Sequence, residues 1–221
     1  MTTLNLTVIW IGTVVILISF IMAIIIPINK RTYMKGFYIY SLIALLTSFN
    51  TILGSLFLLY NSKLFYIIQS TLNLCNLAFW TFFFLALLKD RIYSTIIYIL
   101  FISTFLLAVS LLNLSYINKP NLQIRALINM CQTIYCIIFY HKLFKNITYQ
   151  NILLEPSFWI VAGLIFFSCL SLPFYALNSY IKQEFPLIIS ANIFSISNML
   201  IIIMHLFFIK AYLCTIRLHR A

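Results

Sequence analysis

Apolar runs of span length, separated by short polar clusters, recur from one end of the chain to the other. The first run covers about residues 6–26 and stops at Pro27, Asn29, Lys30 and Arg31, where proline and charge together end it. The same punctuation divides the rest into helices at about 37–60, 64–88, 92–112, 122–140, 157–177 and 187–208. Only Asn61, Ser62 and Lys63 separate the second helix from the third, which predicts a tight antiparallel hairpin. Pro173 falls in the last turns of the sixth helix and is expected to kink or end it. The pattern predicts an all-α membrane protein, residues 1–221 forming a single bundle of seven transmembrane helices.

Composition agrees: 64% of the 221 residues are hydrophobic and 8% charged, against roughly 45–50% and 25% in a soluble domain. A span takes about 20 residues, so seven helices fill this length and leave no room for a soluble catalytic domain. The formal charge of +11 suggests nucleic acid in a soluble protein, but here the cations sit singly or in pairs between apolar runs and read as membrane anchors, so no nucleic-acid partner is expected. The first run has no basic stretch before it and no small-residue cleavage site after it, and reads as a retained span rather than a signal peptide.

The cations also predict orientation, because short cytoplasmic loops retain Lys and Arg. With the N-terminus outside, Lys30, Arg31, Lys35, Lys89, Arg91, Lys142, Lys145, Lys210, Arg217 and Arg220 are cytoplasmic, ten in all. The outer set is four: Lys63, Lys119, Arg125 and Lys182. An odd number of spans then puts the C-terminus in the cytoplasm.

Amides within spans avoid lipid and face protein or a water-filled cavity, so their positions map the interior. Gln69, Asn73, Asn76 and Trp80 share one face of the third helix, as do Thr47, Asn50, Thr51 and Gly54 on the second. Asn129, Gln132, Cys136 and Tyr140 follow on the fifth, and Ser195, Asn198 and His205 on the seventh. Asn50, Gln69, Asn73, Asn76, Asn129, Gln132, Ser195 and Asn198 are thus expected to form one polar layer shared by helices two, three, five and seven. That layer reads either as a small cavity for a neutral or weakly polar ligand or as interhelical hydrogen bonding that fixes packing.

The chemistry of active sites is missing. The only acidic residues, Asp90, Glu155 and Glu184, lie at helix ends or in loops, which argues against a proton-coupled transporter. Lys210 is too close to a helix end for a retinal Schiff base, and no activated nucleophile can be assembled, so no enzyme is expected. The five cysteines suggest neither a disulfide framework nor a metal site, and no cofactor is expected. His141 and His205 are weak candidates for haem ligands; His205 reads better as a hydrogen-bonded core residue. Trp10, Trp80 and Trp159 fit the aromatic belts of a bilayer protein.

The order of spans, and the stretch Glu155-Pro156-Ser157-Phe158-Trp159 leading into a helix with Gly163, resemble a group of uncharacterised bacterial seven-helix inner-membrane proteins, some similar to the membrane sensor halves of histidine kinases. The resemblance implies a bacterial inner (plasma) membrane location and a sensory or regulatory role. The chain carries no kinase segment, so signalling would pass to a separate cytoplasmic partner, docking on Lys142, Lys145, Lys210, Arg217 and Arg220; those cations are also suited to anionic lipid headgroups. The alternatives are a passive or facilitative carrier of a small neutral solute and a structural subunit of a membrane complex.

Overall fold

A computed structural model describes residues 3–25, 36–56, 63–114, 122–145, 152–177 and 187–220. These form seven α-helices, α1 Thr3–Ile25, α2 Phe37–Leu56, α3 Lys63–Leu88, α4 Arg91–Leu114, α5 Leu122–Lys145, α6 Pro156–Ala176 and α7 Leu187–Arg220, with a 3₁₀ turn Ile152–Leu154 before α6. No strand occurs among the described residues. Six helices are long and apolar enough to cross a membrane, while α2 is apolar over the shorter stretch Phe37–Leu53. The loop cations Lys30, Arg31, Lys35, Lys119 and Lys182, on which the expected orientation rests in part, lie outside the described residues, as does Glu184.

Helix neighbours define a closed ring: α1 packs on α2, α2 on α3, α3 on α5, α5 on α6, α6 on α7, and α7 back on α1. Helix α4 stands outside, against α3 and α5. Polarity is inverted relative to a soluble protein. Ser19, Ser41, Asn129, Gln132 and His205 are buried, while Trp10, Leu17 and Ile24 of α1 and Ile92, Ile99 and Leu106 of α4 are exposed. Lipid accepts such an apolar exterior, and helices satisfy their backbone groups internally.

Helix ends differ from the sequence expectation where charge and packing compete. Helix α5 continues through His141 and Lys142 to Lys145, because Lys142 is held within the chain: its Nζ lies 2.5 Å from Asp90 Oδ2 and donates to the Leu88 carbonyl. Basic residues also suit the last turn of a helix. Helix α7 runs on to Arg220; Ala211, Tyr212, Cys214 and Thr215 beyond Phe208 remain buried against the bundle. At 1.5 Å per residue its 34 residues exceed a hydrocarbon core of about 30 Å. Pro173 does not stop α6, which continues to Ala176 and closes with Leu177 N–H donating to the Pro173 carbonyl.

The α3–α4 junction is two residues long, Lys89 adopting a left-handed φ of 50° and Asp90 accepting from Ser94 N–H at 2.9 Å. This turn delivers the Leu88 carbonyl and the Asp90 carboxylate to α5. Trp80, expected in an interfacial belt, is instead wholly buried, because it follows Asn76 by one turn on the inward face of α3.

The tightest helix contact is α6 on α7. A Cβ at Gly163 would lie 2.7 Å from Phe207 Cβ and 3.1 Å from the Met204 carbonyl oxygen, whereas one at Gly12, where α1 meets α7, would find Ile202 at an ordinary 3.6 Å. Close approach through a small residue is how helices gain packing energy in lipid. Gly163→Ala should therefore destabilise the detergent-solubilised protein by about 1–3 kcal/mol, while Gly12→Ala changes stability by less than about 0.5 kcal/mol; thermal unfolding of both variants in one detergent checks the difference.

Candidate functional site

The ring helices surround a partly open cavity of about 100 Å³. Every ring helix lines it: Ile16 from α1; Tyr40, Ile43, Ala44, Thr47 and Ser48 from α2; Leu72, Asn73 and Asn76 from α3; Arg125, Ile128 and Asn129 from α5; Phe167 and Tyr175 from α6; and Ile201, Met204 and His205 from α7. Helix α4 contributes nothing to it. The volume is smaller than the ~150 Å³ of an engineered apolar cavity that takes benzene.

The eight residues expected in one layer are divided among four settings. Asn73, Asn76 and Asn129 share the cavity wall. Asn50 and Gln69 pair across α2 and α3, Asn50 Nδ2 donating to Gln69 Oε1 at 3.2 Å. Gln132 accepts from Ser168 Oγ at 3.3 Å across α5 and α6, and Asn129 makes a parallel contact there, its Nδ2 donating to Ser171 Oγ at 2.7 Å. On α7, Ser195 is buried and Asn198 is partly buried with its Nδ2 unpartnered, but neither lines the cavity. Packing and cavity thus draw on the same set of amides, and only three of them meet around the open space.

Helix α6 was absent from the expected layer, although Ser168, Ser171 and Tyr175 are spaced three and four apart, which puts them on one face. Ser168 and Ser171 hold α5, and Tyr175 meets Ser197 of α7, the two hydroxyls 2.6 Å apart. Arg125, read as a charge at the membrane surface, turns to the cavity and stands 5.7 Å over the Tyr175 ring. Its position one turn before Asn129 carried that information.

His205 is the sharpest departure from expectation. It is fully buried at the cavity wall, yet neither ring nitrogen has a hydrogen-bond partner among the described residues. Its ring stacks on Tyr40 at 6.0 Å and meets the Phe208 edge at 5.2 Å. His141 lies elsewhere, exposed, its Nδ1 3.2 Å from the Tyr93 hydroxyl on α4.

Beyond His205 an aromatic block closes the ring. Phe37 touches Tyr40, Trp80, Phe208 and Tyr212 at centroid distances of 5.5, 6.0, 5.1 and 6.0 Å, and Phe37, Trp80 and Phe208 have no exposed surface. Past this block lies the Lys142 end. Lys142 is committed to Asp90 and Leu88. Lys210 stands 5.7 Å over the Trp159 ring, whose Nε1 donates to the Leu153 carbonyl at 2.8 Å. Lys145 is exposed. Arg217 and Arg220 belong to α7, with side chains outside the described residues.

Fold and cavity together define the class: a helical bundle suited to a membrane, with a mostly apolar internal cavity that carries a few polar groups and adjoins a block of aromatic packing. No protein-family model, curated protein or solved structure matches the chain.

The two kinds of buried polar group should respond oppositely to apolar replacement. Asn129→Leu leaves Ser171 without its donor and lowers stability, with a coupling to Ser171→Ala of roughly 0.6–1.7 kcal/mol. His205→Phe removes two unpartnered ring nitrogens and raises stability by about 1–3 kcal/mol. Equilibrium unfolding in mixed micelles gives both signs directly.

Proposed function

We propose that the chain is a sensory or regulatory membrane component that binds a small molecule inside the helix ring and passes its occupancy to a separate cytoplasmic partner. The observation that carries this reading is the cavity between the ring helices, whose wall includes unpartnered polar atoms of His205 and Asn76. Buried polar groups without partners are costly, and a cavity that keeps them is a binding site by default. The aromatic block from Tyr40 through Phe37 to Tyr212 supplies a packed route from the cavity to the Lys142 end. On this reading all seven helices cross a bacterial plasma membrane, the N-terminus is outside, and Lys145, Lys210, Arg217 and Arg220 face the cytoplasm, where the partner docks.

A passive carrier is the second reading. Closure of the ring by aromatics at one end, with the cavity reaching Arg125 and Tyr175 toward the other, suits one state of an alternating-access cycle.

In-cell crosslinking followed by purification and mass spectrometry separates the two, comparing the wild type with a Lys145→Glu, Lys210→Glu variant. A regulator or kinase recovered with the wild type and depleted at least fivefold with the charge-reversed protein supports the sensory reading. Recovery of the chain with lipid alone overturns it in favour of the carrier, and solute counterflow into proteoliposomes then becomes the assay.

A further inference from the structure

Among the described residues the cavity wall carries a cation and no carboxylate. Arg125 is the one charged residue described on that wall, half-buried, and its guanidinium stands over an aromatic face. Of the three acidic residues, Asp90 is paired with Lys142 beyond the aromatic block, Glu155 stands at the N-terminal boundary of α6, and Glu184 lies outside the described residues. An ionisable side chain facing a bundle interior marks a functional site with a missing partner.

We propose that the cavity binds a short-chain monocarboxylate, its carboxylate on Arg125 and its alkyl tail among Ile43, Leu72, Ile128 and Ile201. This assignment deepens the proposed function and rests on the cavity being a binding site. Three features select the ligand class. The planar guanidinium fork matches a carboxylate with two parallel hydrogen bonds, and the Asn129 and Asn73 amides on the same wall can add donors. No acidic group lines the wall among the described residues, so an ammonium meets no carboxylate there, which disfavours amino acids and amines. Ile43, Leu72, Ile128 and Ile201 line the remainder, giving an alkyl tail an apolar seat that an inorganic oxyanion would leave unfilled. A space of about 100 Å³, against the ~150 Å³ that admits six-carbon benzene, limits the ligand to about four or five non-hydrogen atoms, the size of acetate or propionate.

The experiment is a ligand titration on purified protein in nanodiscs at fixed ionic strength, read by thermal stability and by tryptophan fluorescence, since Trp80 packs 4.9 Å from Tyr40 at the cavity wall. The probes are sodium propionate, sodium nitrate, sodium hexanoate and neutral propionamide. The expected result is saturable stabilisation by propionate, at least tenfold weaker binding of the other three, and loss of at least tenfold in propionate affinity in Arg125→Gln with partial recovery in Arg125→Lys. Ile102→Ala, on the outward face of α4, should leave binding unchanged. The wild-type comparison stands even if an Arg125 variant fails to fold. Propionamide binding as well as propionate overturns the anion while leaving the cavity a binding site. Nitrate binding as well as propionate overturns the alkyl seat. No saturable binding by any probe overturns the monocarboxylate and removes the cavity as support for a sensor.

Discussion

The approach of α6 to α7 at Gly163 is the constraint from which the rest of the bundle follows. Seven helices can pack as an open sheet of pairs or close on themselves; closure needs the last helix to reach both its predecessor and the first. Here α7 does so, with Met204 and Phe207 against Gly163 on one side and Ile202 facing Gly12 on the other. Because lipid supplies no hydrophobic drive between helices, contact distance carries the association, and a residue without a side chain is worth most where backbone meets backbone. With α7 held in that position, Met204 and His205 face inward to meet Tyr40 and take their places on the cavity wall.

Helix α4 shows the same rule from the other side. It carries no amide in mid-span and is the least buried of the spans. With Tyr135 hydroxyl reaching the Ile97 carbonyl and Thr81 at 3.4 and 3.2 Å, α4 is attached to the α3–α5 seam by few polar contacts. A helix outside the ring can be apolar almost all round, whereas every ring helix needs at least one residue able to tolerate an interior without lipid.

Much of this was legible in the chain, and the omissions have physical reasons. Run length located all seven helices. The inward faces of α3 and α5 followed from amide spacing, since amides have one tolerable direction in a bilayer. What spacing could not resolve was partnership: Asn50 and Gln69 satisfy each other, Gln132 turns to Ser168, and only Asn73, Asn76 and Asn129 remain at the cavity. Hydroxyls were undervalued because serine in a helix also bonds its own backbone, as Ser171 does to the Phe167 carbonyl at 2.7 Å, so Ser168 and Ser171 announce no partner in sequence. Charge was over-read as location. Arg125 was placed at the surface by type yet lines the cavity, whereas Lys142 stands near a helix end as expected and is held there by the exposed Asp90. For Lys142 the cause is the two-residue α3–α4 turn, which no composition predicts.

The placement of the aromatic block bears on how a bundle of this kind transmits a local event. Tyr40 belongs to both structures: its ring stacks on His205 at the cavity and packs on Trp80 and Phe37 in the block. Among the described residues its hydroxyl has the Met204 sulfur at 3.9 Å as its partner, a weak acceptor. A ligand that presses on the Tyr40 ring can displace it without opposing a strong hydrogen bond. Close-packed interiors respond to such displacement by switching between discrete packings rather than yielding smoothly. The neighbours that would have to move with Tyr40 are Phe37, at the start of α2, and Phe208, from which α7 continues to Arg220. On the proposed reading, the weakness of one hydrogen bond at the cavity and the length of α7 beyond the block are therefore parts of the same device.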